Sequence, residues 1–371
     1  MTRLRLGIDA HAIGTKAGGN ETYMRELLAA LREHPAADVD AVAYVSPAVE
    51  ADPEAVAGFQ TFPLGLPWSW VRVPILLPLA AQHTRADLLH VQYAAPPYCP
   101  CPYVVSIHDI VWKHHPDLLR PTTRYRLAAL TPPTLRRAAR VFALTEAVKQ
   151  DIADSYRVPL DRIDVVAPGV APLFRPIADG PDRQAVLGQY GVQPPYVLYV
   201  GALQPRKNLT RLAAAFARLA AQGFPHSLVV AGPRIWMYRQ VLAELEPIGL
   251  GDRLRFIGYV DRPHLPHLLS AADAFAYVSI YEGFGLPVLE ALACAAPVLA
   301  STDPAIREAS RDAAVHCDPL DVDAIEQGLR RILTDETLRT QLRDAGPARA
   351  ARYTRQAMAE AALAGYRAAL A

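Results

Sequence analysis

Residues 281–290 read Tyr-Glu-Gly-Phe-Gly-Leu-Pro-Val-Leu-Glu, and this is the most informative segment of the chain. An apolar run at residues 274–278 precedes it, and a run with a helix-like pattern at residues 288–294 follows it. The order predicts a strand, a tight loop and a helix whose first turn accommodates the proline. Backbone amides at such a loop face an anion, and the glycines let the backbone approach a ligand closely. Two carboxylates, Glu282 and Glu290, bracket the loop.

Strand-like and helix-like runs alternate through both halves of the 371 residues. Strands are predicted at 4–9, 39–45, 87–92, 103–108, 140–145 and 163–167, then at 196–200, 227–231, 254–257, 274–278 and 297–300. Helices are predicted at 21–33, 122–138 and 145–156, then at 208–221, 236–245, 321–334, 336–345 and 353–370. A Pro/Gly-rich stretch at 168–181 is interpreted as a linker. Two such halves predict two doubly wound parallel sheets, with ligands at the carboxyl edges of the strands.

The wider stretch from Ser279 to Pro297 resembles the E-x7-E signature of the retaining glycosyltransferases of family 4. One position departs from that pattern, since Ala295 stands where the family usually has glycine. The resemblance implies the GT-B fold, in which two Rossmann-like domains face a central cleft and the C-terminal helix crosses back to the first domain. It assigns residues 1–175 and 353–371 to an acceptor-binding domain, and residues 183–352 to a domain that binds the nucleotide sugar.

A second motif follows the first strand of the second half. Residues 201–209 read Gly-Ala-Leu-Gln-Pro-Arg-Lys-Asn-Leu, and the two adjacent cations open a predicted helix. Cations at a helix N-terminus suit a diphosphate, because the free amides and the helix dipole add to their charge. Arginine supplies 34 of the 38 basic residues, so a lysine in this motif is informative. The alternative is a solvated loop with two surface cations. The resemblance implies that Arg206 and Lys207 neutralise a departing nucleoside diphosphate.

Two further matches lie in the first half. Residues 18–23 resemble the glycine-rich loop of the family that approaches the donor phosphate and the acceptor, and they do not form a G-x-G-x-x-G dinucleotide motif. Residues 104–110 resemble the strand that ends in His-Asp, and His108 is then expected beside the donor sugar. A flexible turn and a capped strand end are the structural alternatives.

The resemblance therefore implies a defined set of site residues. Catalytic roles are expected for His108, Arg206, Lys207 and Glu282. Donor-binding roles are expected for Gly18, Gly19, Gly201, Gly232, Tyr259, Val260, Gly283, Phe284, Gly285, Leu286 and Glu290. Within this set, Glu282 is expected to contact the donor sugar and Glu290 the ribose hydroxyls. The implied reaction moves a sugar, with retention, from a nucleotide sugar to a hydroxyl of a glycan, lipid-linked or small-molecule acceptor. GDP-mannose is the favoured donor, and UDP-glucose and UDP-N-acetylglucosamine remain open.

No metal ion and no other cofactor is expected, because no Asp-x-Asp motif follows a predicted strand and the nucleotide sugar is a co-substrate. Three other classes of protein are alternatives. A retaining hydrolase needs its two carboxylates about 5 Å apart, whereas residues eight positions apart on a helix are separated by about 12 Å. A GT-B sugar-nucleotide epimerase needs acid and base groups that these matches do not supply. A non-catalytic nucleotide-sugar-binding protein is the third alternative.

Composition and charge limit the partners and the cellular location that can be expected. A formal net charge of +1 argues against a nucleic-acid partner, and the four cysteines form no disulfide or zinc framework. The N-terminus is interpreted as a strand rather than a signal peptide, and no uncharged apolar run of 18 residues predicts a spanning helix. A cytoplasmic location is expected, with peripheral contact at the inner face of the membrane as a further possibility. The oligomeric state is not indicated.

Two segments bear on membrane contact. Residues 120–140 hold six arginines among apolar residues, and either an amphipathic membrane-binding face or a solvated helix face explains them; the solvated face is favoured. Residues 68–79 are apolar and carry two prolines. They are interpreted as a segment that packs near the acceptor cleft.

Overall fold

The computed structural model describes residues 3–15, 18–65, 68–235 and 237–371. Its contacts divide the chain into two compact units. Unit 1 consists of Met1–Gly169 and Tyr353–Ala371, and unit 2 of Val170–Arg352. The first boundary therefore falls inside the Pro/Gly-rich stretch that the sequence analysis interpreted as a linker. Trp236, which was predicted to begin a helix, lies outside the described residues, as do Lys16 and the first two residues of the chain.

Unit 1 contains a parallel sheet that has seven strands within the described residues. They are β1 (Leu4–Asp9), β2 (Val39–Val45), β3 (Gln60–Pro63), β4 (Leu88–Gln92), β5 (Tyr103–Ile107), β6 (Arg140–Ala143) and β7 (Ile163–Val165), in the order β3-β2-β1-β4-β5-β6-β7. The order reverses between β1 and β4, which is the switch point where doubly wound sheets bind ligands. Every residue of β4 and β5 is buried, as expected for central strands covered on both faces.

Unit 2 repeats this architecture. The described part of the chain forms six parallel strands here: β8 (Tyr196–Val200), β9 (Ser227–Ala231), β10 (Leu254–Gly258), β11 (Ala274–Tyr277), β12 (Val298–Ser301) and β13 (Val315–Cys317), in the order β10-β9-β8-β11-β12-β13. The order reverses between β8 and β11, so the loops after these two strands share one edge of the sheet. Apolar residues from the strands and the flanking helices form a continuous core.

Most helices connect successive strands, and the last three follow the final strand. In unit 1 they are α1 (Gly19–Glu33), α2 (Ser69–Val71), α3 (Leu77–His83), α4 (Val111–His114), α5 (Pro121–Arg137) and α6 (Glu146–Tyr156). In unit 2 they are α7 (Pro181–Gln189), α8 (Leu209–Ala221), α9 (Tyr238–Leu245), α10 (Leu265–Ala271), α11 (Leu286–Ala293), α12 (Pro304–Ser310), α13 (Val322–Thr334) and α14 (Glu336–Ala350). The last helix, α15 (Arg355–Ala368), belongs to unit 1. A π-helical turn, Arg72–Leu76, joins α2 to α3.

The C-terminal helix α15 is anchored in unit 1, which confirms the predicted crossing back to the first domain. Tyr366 is fully buried against Phe142 of β6, and their ring centroids are 5.4 Å apart. Gly365 allows this approach, because a Cβ at that position would lie 2.3 Å from the Phe142 ring. Arg355 donates to the fully buried carboxylate of Glu26 in α1 at 2.8 Å. Such a buried ion pair makes the docking specific rather than merely hydrophobic.

Several elements differ from the sequence-based prediction. Strands β3 and β13 were not predicted, because β3 is an exposed edge strand without alternation and β13 has only three residues. Residues 69–83 were not predicted to be helical, yet the prolines of this segment sit in a π-turn and near the start of α3, where a missing amide is tolerated. The expectation that residues 68–79 are packed is wrong for one face, since four large apolar side chains there are exposed: Trp68, Trp70, Ile75 and Leu79.

Candidate active site

The loop between β11 and α11 carries the sequence signature. Gly285 adopts a φ of 93° immediately before the helix, a conformation that favours glycine. Pro287 lies in the first turn, where its lack of an amide hydrogen costs nothing. Phe284 and Leu286 are buried and hold the loop against the core. The first amides of α11 therefore lie at the carboxyl edge of the sheet, where they suit an anionic ligand.

The loop after the neighbouring strand β8 carries the basic pair. Residues Pro205–Lys207 form a short 3-10 turn, and Asn208 follows in a left-handed conformation with a φ of 59°. The Asn208 side-chain nitrogen Nδ2 donates to the carbonyl of Val278 at 2.9 Å and to that of Pro319 at 2.6 Å. These bonds attach the basic loop to the segments that follow β11 and β13. The asparagine within the motif thus helps to place the two cations.

Glu282 joins the two loops through its carboxylate. One oxygen accepts from Arg206 at 2.9 Å, and the other accepts from Lys207 Nζ at 2.6 Å. The Tyr277 hydroxyl donates to the same oxygen as Lys207, at 3.1 Å. Burial by itself would raise the pKa of Glu282, but the charges of Arg206 and Lys207 outweigh it and lower the pKa to about 2. Three predicted catalytic residues therefore form one charged cluster at the edge of the sheet.

Asp303 supports this cluster and was not predicted. One of its oxygens caps α12 by accepting from the amides of Ala305 and Ile306, and the other accepts from the amide of Glu282 at 3.2 Å. Burial raises the pKa of Asp303 to about 6, the nearby charge of Glu282 adds to the effect, and the amide donors oppose it. An aspartate directly before Pro304 is a helix-start signal that could have revealed the cap. Nothing in the sequence revealed that the cap also holds the Glu282 backbone.

Glu290 lies on α11, as predicted, and 8% of its surface is exposed. An Arg262 nitrogen lies 4.0 Å from its carboxylate, and the guanidinium of Arg262 packs over the ring of Phe174. Glu290 thus lies beside Arg262, whereas Glu282 contacts Arg206 and Lys207.

The turns after β8, β9 and β10 surround a cavity of about 360 Å³. Its lining includes Gly232, Arg234, Gly258 and Tyr259. Gly232 has a φ of 147°, and a Cβ there would lie 2.0 Å from the Gly201 carbonyl oxygen, so only glycine permits this crossing of two backbones. The Tyr259 side chain is 46% exposed beside the cavity, while Val260 is buried. Two of the predicted donor-binding residues, Gly232 and Tyr259, therefore line one concave surface.

The predicted residues of unit 1 lie at the carboxyl edge of its own sheet. His108 follows β5, and its Nδ1 lies 3.0 Å from the Asn20 side-chain oxygen in the first turn of α1. Burial lowers the pKa of His108 to about 3, so the ring is neutral at physiological pH. Its Nε2 is buried and has no hydrogen-bond partner among the described residues. Gly18, with a φ of 70°, and Gly19 begin the same helix, and a Cβ on either would meet no described atom within 4 Å.

A buried chain of hydrogen bonds runs behind His108. The Tyr366 hydroxyl lies 2.8 Å from His90 Nδ1, and His90 Nε2 lies 2.7 Å from the Ser106 hydroxyl. Ser106 continues to the Tyr23 hydroxyl at 3.0 Å, and the Tyr23 ring packs on His108 with centroids 4.5 Å apart. Burial lowers the pKa of His90 to about 3. A neutral His90 donates from one nitrogen and accepts at the other, which satisfies both of its partners.

Two other polar groups of this edge were missed by the sequence analysis. Asp9 ends β1 and pairs with the buried Arg72 and with His11, whose Nδ1 lies 3.0 Å from its carboxylate. Burial alone would raise the pKa of Asp9, but its partners His11 and Arg72 hold that pKa below the ordinary value. Gln92 ends β4, and neither atom of its side-chain amide has a partner among the described residues although both are buried. Polar residues at strand ends were the available signal.

Two structural features bear on cofactors and membranes. Within the described residues, no group of three or more histidine, cysteine, aspartate or glutamate side chains is arranged to hold a metal ion. Metal independence itself remains a prediction. No helix in the described ranges is both long and apolar enough to span a bilayer.

The comparisons with known proteins agree with this architecture. The family model described as Glycosyltransferase Family 4 matches residues 17–172, and that described as Glycosyl transferases group 1 matches residues 188–349. The chain belongs to the family 4 glycosyltransferases. Its fold is GT-B, since HepE from Anabaena, solved in complex with UDP and glucose, superposes with a TM-score of 0.77 over 98% of this chain and 99% of its own. At 18% identity that likeness establishes the fold alone.

Two curated relatives of this family member are mannosyltransferases. O-antigen chain mannosyltransferase B from Escherichia coli is 31% identical over 258 residues, which is 68% of this chain and 66% of the relative. The serotype-specific mannosyltransferase WbdA, also from Escherichia coli, is 27% identical over 239 residues, which is 62% of this chain and 29% of the relative. The chain thus spans less than two thirds of the length of either relative.

Proposed function

We propose that this family 4 protein transfers a hexosyl group from a nucleoside diphosphate sugar to an acceptor hydroxyl, with retention and without a metal ion. The observation that supports it best is the cluster of Arg206, Lys207 and Glu282 beside the N-terminus of α11. Paired cations and free helix amides at one edge suit a departing diphosphate. The donor-binding roles of the surrounding glycines and of Glu290 are part of the same proposal.

The difficult step is the departure of the diphosphate from an oxocarbenium-like sugar. Negative charge then grows on the leaving phosphate, and the Lys207 ammonium and the Arg206 guanidinium stabilise it. Without a ligand, Glu282 balances these two charges and fixes their positions. Fixed charges need little reorganisation during the reaction, which is why they lower the barrier. The acceptor proton passes to a donor phosphate oxygen, so no protein nucleophile is required.

The neutral His108 acts differently from the cationic pair. Because its Nδ1 donates to Asn20, its Nε2 presents a lone pair, which accepts a hydrogen bond from a sugar hydroxyl. This role positions the donor sugar and does not transfer a proton.

GDP-mannose is the proposed donor, supported by the two mannosyltransferase relatives. The acceptor is a glycan, a lipid-linked saccharide or a small molecule. We expect the reaction in the cytoplasm, with the enzyme at the inner face of the membrane where the acceptor is lipid-linked.

Calorimetry with GDP and with UDP provides the first test. The proposal predicts that GDP binds at least tenfold more tightly than UDP, and that the donor is consumed only when an acceptor is present. NMR of the product measures the anomeric configuration. Release of free sugar into water at the rate of donor consumption would instead identify a hydrolase, and binding of neither nucleotide would contradict the proposal.

A further inference from the structure

The acidic residues of this chain are distributed unevenly. The chain has 37 aspartates and glutamates, yet none lies in residues 55–86 or in residues 118–145. Both stretches belong to unit 1, and both contain exposed aromatic side chains. With a net charge of only +1 for the whole chain, these stretches form a local basic and apolar region. Such asymmetry points to an anionic partner.

The first stretch presents an apolar face to solvent. Residues Ser69–His83 are helical, and their inward side packs in the core through Val73, Leu77 and Ala80. The outward side is also apolar, since Trp70 is 71% exposed, Ile75 52% and Leu79 56%. A surface helix normally places polar residues on its outer face. An outward face made of large apolar side chains therefore indicates a binding surface.

The second stretch adds charge to this face. The first half of α5 carries Arg124 and Arg126, with the exposed Tyr125 between them, and the Arg124 guanidinium lies 5.4 Å from the Tyr125 ring centre. Arg126 donates to the Ser69 hydroxyl at 2.7 Å, and Ser69 lies between the two exposed tryptophans. The Trp68 and Trp70 rings stack with centroids 5.7 Å apart. The arginines and the tryptophans thus belong to one continuous surface.

We propose that this surface, the Trp–Arg face of Trp68, Trp70, Ile75, Leu79, Arg124 and Arg126, binds the headgroup region of an anionic lipid bilayer. Exposed indoles are suited to the boundary between headgroups and acyl chains, because one edge is apolar and the other donates a hydrogen bond. Arginines beside them attract anionic headgroups. A face of aliphatic and indole groups beside Arg124 and Arg126, in two stretches without a carboxylate, matches an anionic lipid surface better than a folded partner, whose interface would need matching carboxylates and a shape to fit.

The proposal does not depend on the transfer reaction, because the Trp–Arg face can bind lipid without donor or acceptor. Purified full-length protein is sedimented with vesicles of phosphatidylcholine alone, and with vesicles that contain 30 mol% phosphatidylglycerol. We expect binding to the anionic vesicles, release between 0.1 and 0.5 M NaCl, and a blue shift of tryptophan fluorescence.

Two double variants test the two halves of the face. W68A/W70A is expected to weaken vesicle binding roughly tenfold or more and to abolish the blue shift. R124Q/R126Q is expected to weaken it by roughly 30-fold at low salt. L160A/L320A removes two other exposed leucines, and R331Q/R343Q removes two exposed arginines of α13 and α14. Both controls should bind vesicles as the unaltered protein does, and all variants should keep the same affinity for GDP.

Three results would overturn the proposal. The first is equal binding to neutral and anionic vesicles, because it would show that the arginines do not act. The second is a loss of binding in the controls equal to that in the face variants, since it would show that the contact is non-specific. The third is absence of vesicle binding together with a dimer that W68A/W70A dissociates, as measured by light scattering. That outcome would show that the Trp–Arg face is a dimer interface between two copies of the chain.

Discussion

The side-chain oxygen of Asn20 lies 3.0 Å from Nδ1 of His108. This contact joins the glycine-rich start of α1 to the end of β5, 88 positions along the chain. Because an amide oxygen only accepts, Nδ1 carries the proton and the buried Nε2 is left as an acceptor. Asn20 is therefore a positioning residue that determines which tautomer His108 presents, and the sequence analysis did not assign it a role.

Asn20→Asp tests this assignment. In the unaltered protein burial lowers the pKa of His108 to about 3, so kcat/KM should show no titration of this ring between pH 5 and 8. A carboxylate beside Nδ1 stabilises the imidazolium and raises its pKa. The variant should then lose activity as the pH falls through that new value, because protonated Nε2 no longer accepts. The pH profile of kcat/KM measures this, and Asn20→Ser, which adds no charge, is the control. An identical profile for Asn20→Asp and the unaltered protein would refute the role.

Lys207→Ala should lower turnover far more than stability. The Lys207 ammonium contacts Glu282 and Tyr277, and it is proposed to stabilise the departing diphosphate. Its loss should cost about 2–4 kcal/mol of transition-state stabilisation, measured as kcat/KM. Lys149→Ala on α6 is a matched control, because within the described residues that lysine pairs with the exposed Glu146 and lies outside the proposed site. A folded Lys207→Ala protein with activity within about twofold of the unaltered protein would exclude the role.

The two glutamates should respond in opposite ways to replacement by glutamine. Glu290→Gln is expected to weaken binding of the bare nucleotide roughly tenfold, since a carboxylate accepts ribose hydroxyls more strongly than an amide does. Glu282→Gln is expected to change nucleotide affinity little and to lower kcat roughly tenfold or more, because it leaves Arg206 and Lys207 less firmly placed. Calorimetry and steady-state kinetics measure both. The reverse pattern would exchange the two roles, and no effect in either variant would reduce the signature to a structural motif.

Ala295→Gly should stabilise unit 2. Ala295 has a φ of 56° directly after α11, and the amides of Ala295 and Ala296 return to the carbonyls of Leu292 and Ala291 in a Schellman pattern. Alanine is strained in this left-handed conformation and glycine is not, so the change should add about 1 kcal/mol to the free energy of unfolding. Ala291→Gly, in the interior of the same helix, should cost about that amount or more. Urea unfolding with hydrogen exchange of α11 measures both, and a destabilised Ala295→Gly protein would contradict the argument.

Chelation provides the fifth test. We expect donor consumption to continue in EDTA at the rate seen without it. In the proposed mechanism Arg206 and Lys207, and not a metal ion, stabilise the negative charge of the leaving diphosphate. Added Mg²⁺ or Mn²⁺ should then change the rate by less than about twofold. Loss of activity in EDTA that either ion restores would show that a metal ion takes part.

Local signals were sufficient for much of the architecture. The order of strand, glycine loop and helix around residues 281–290 is a property of neighbouring residues, and the same holds for the basic loop at residues 201–209. Strands β3 and β13 were not predicted from the sequence. They are too short or too exposed to show an alternation of apolar and polar residues. The prediction also failed for residues 68–79. An apolar helical segment has the same sequence pattern whether its outer face is buried or exposed.

The family resemblance, the two α/β halves and the residue types that can hold a diphosphate are visible in the linear sequence. Which of these groups meet depends on the tertiary fold. Glu282 contacts two cations from a loop about 75 positions earlier, and Tyr366 reaches His90 across 276 positions. The spacing of residues along a strand or helix is fixed by backbone geometry, whereas contacts between distant segments depend on how sheets and helices pack. The charge of Glu282 and the neutrality of His108 follow from those contacts and from burial, which no linear pattern contains.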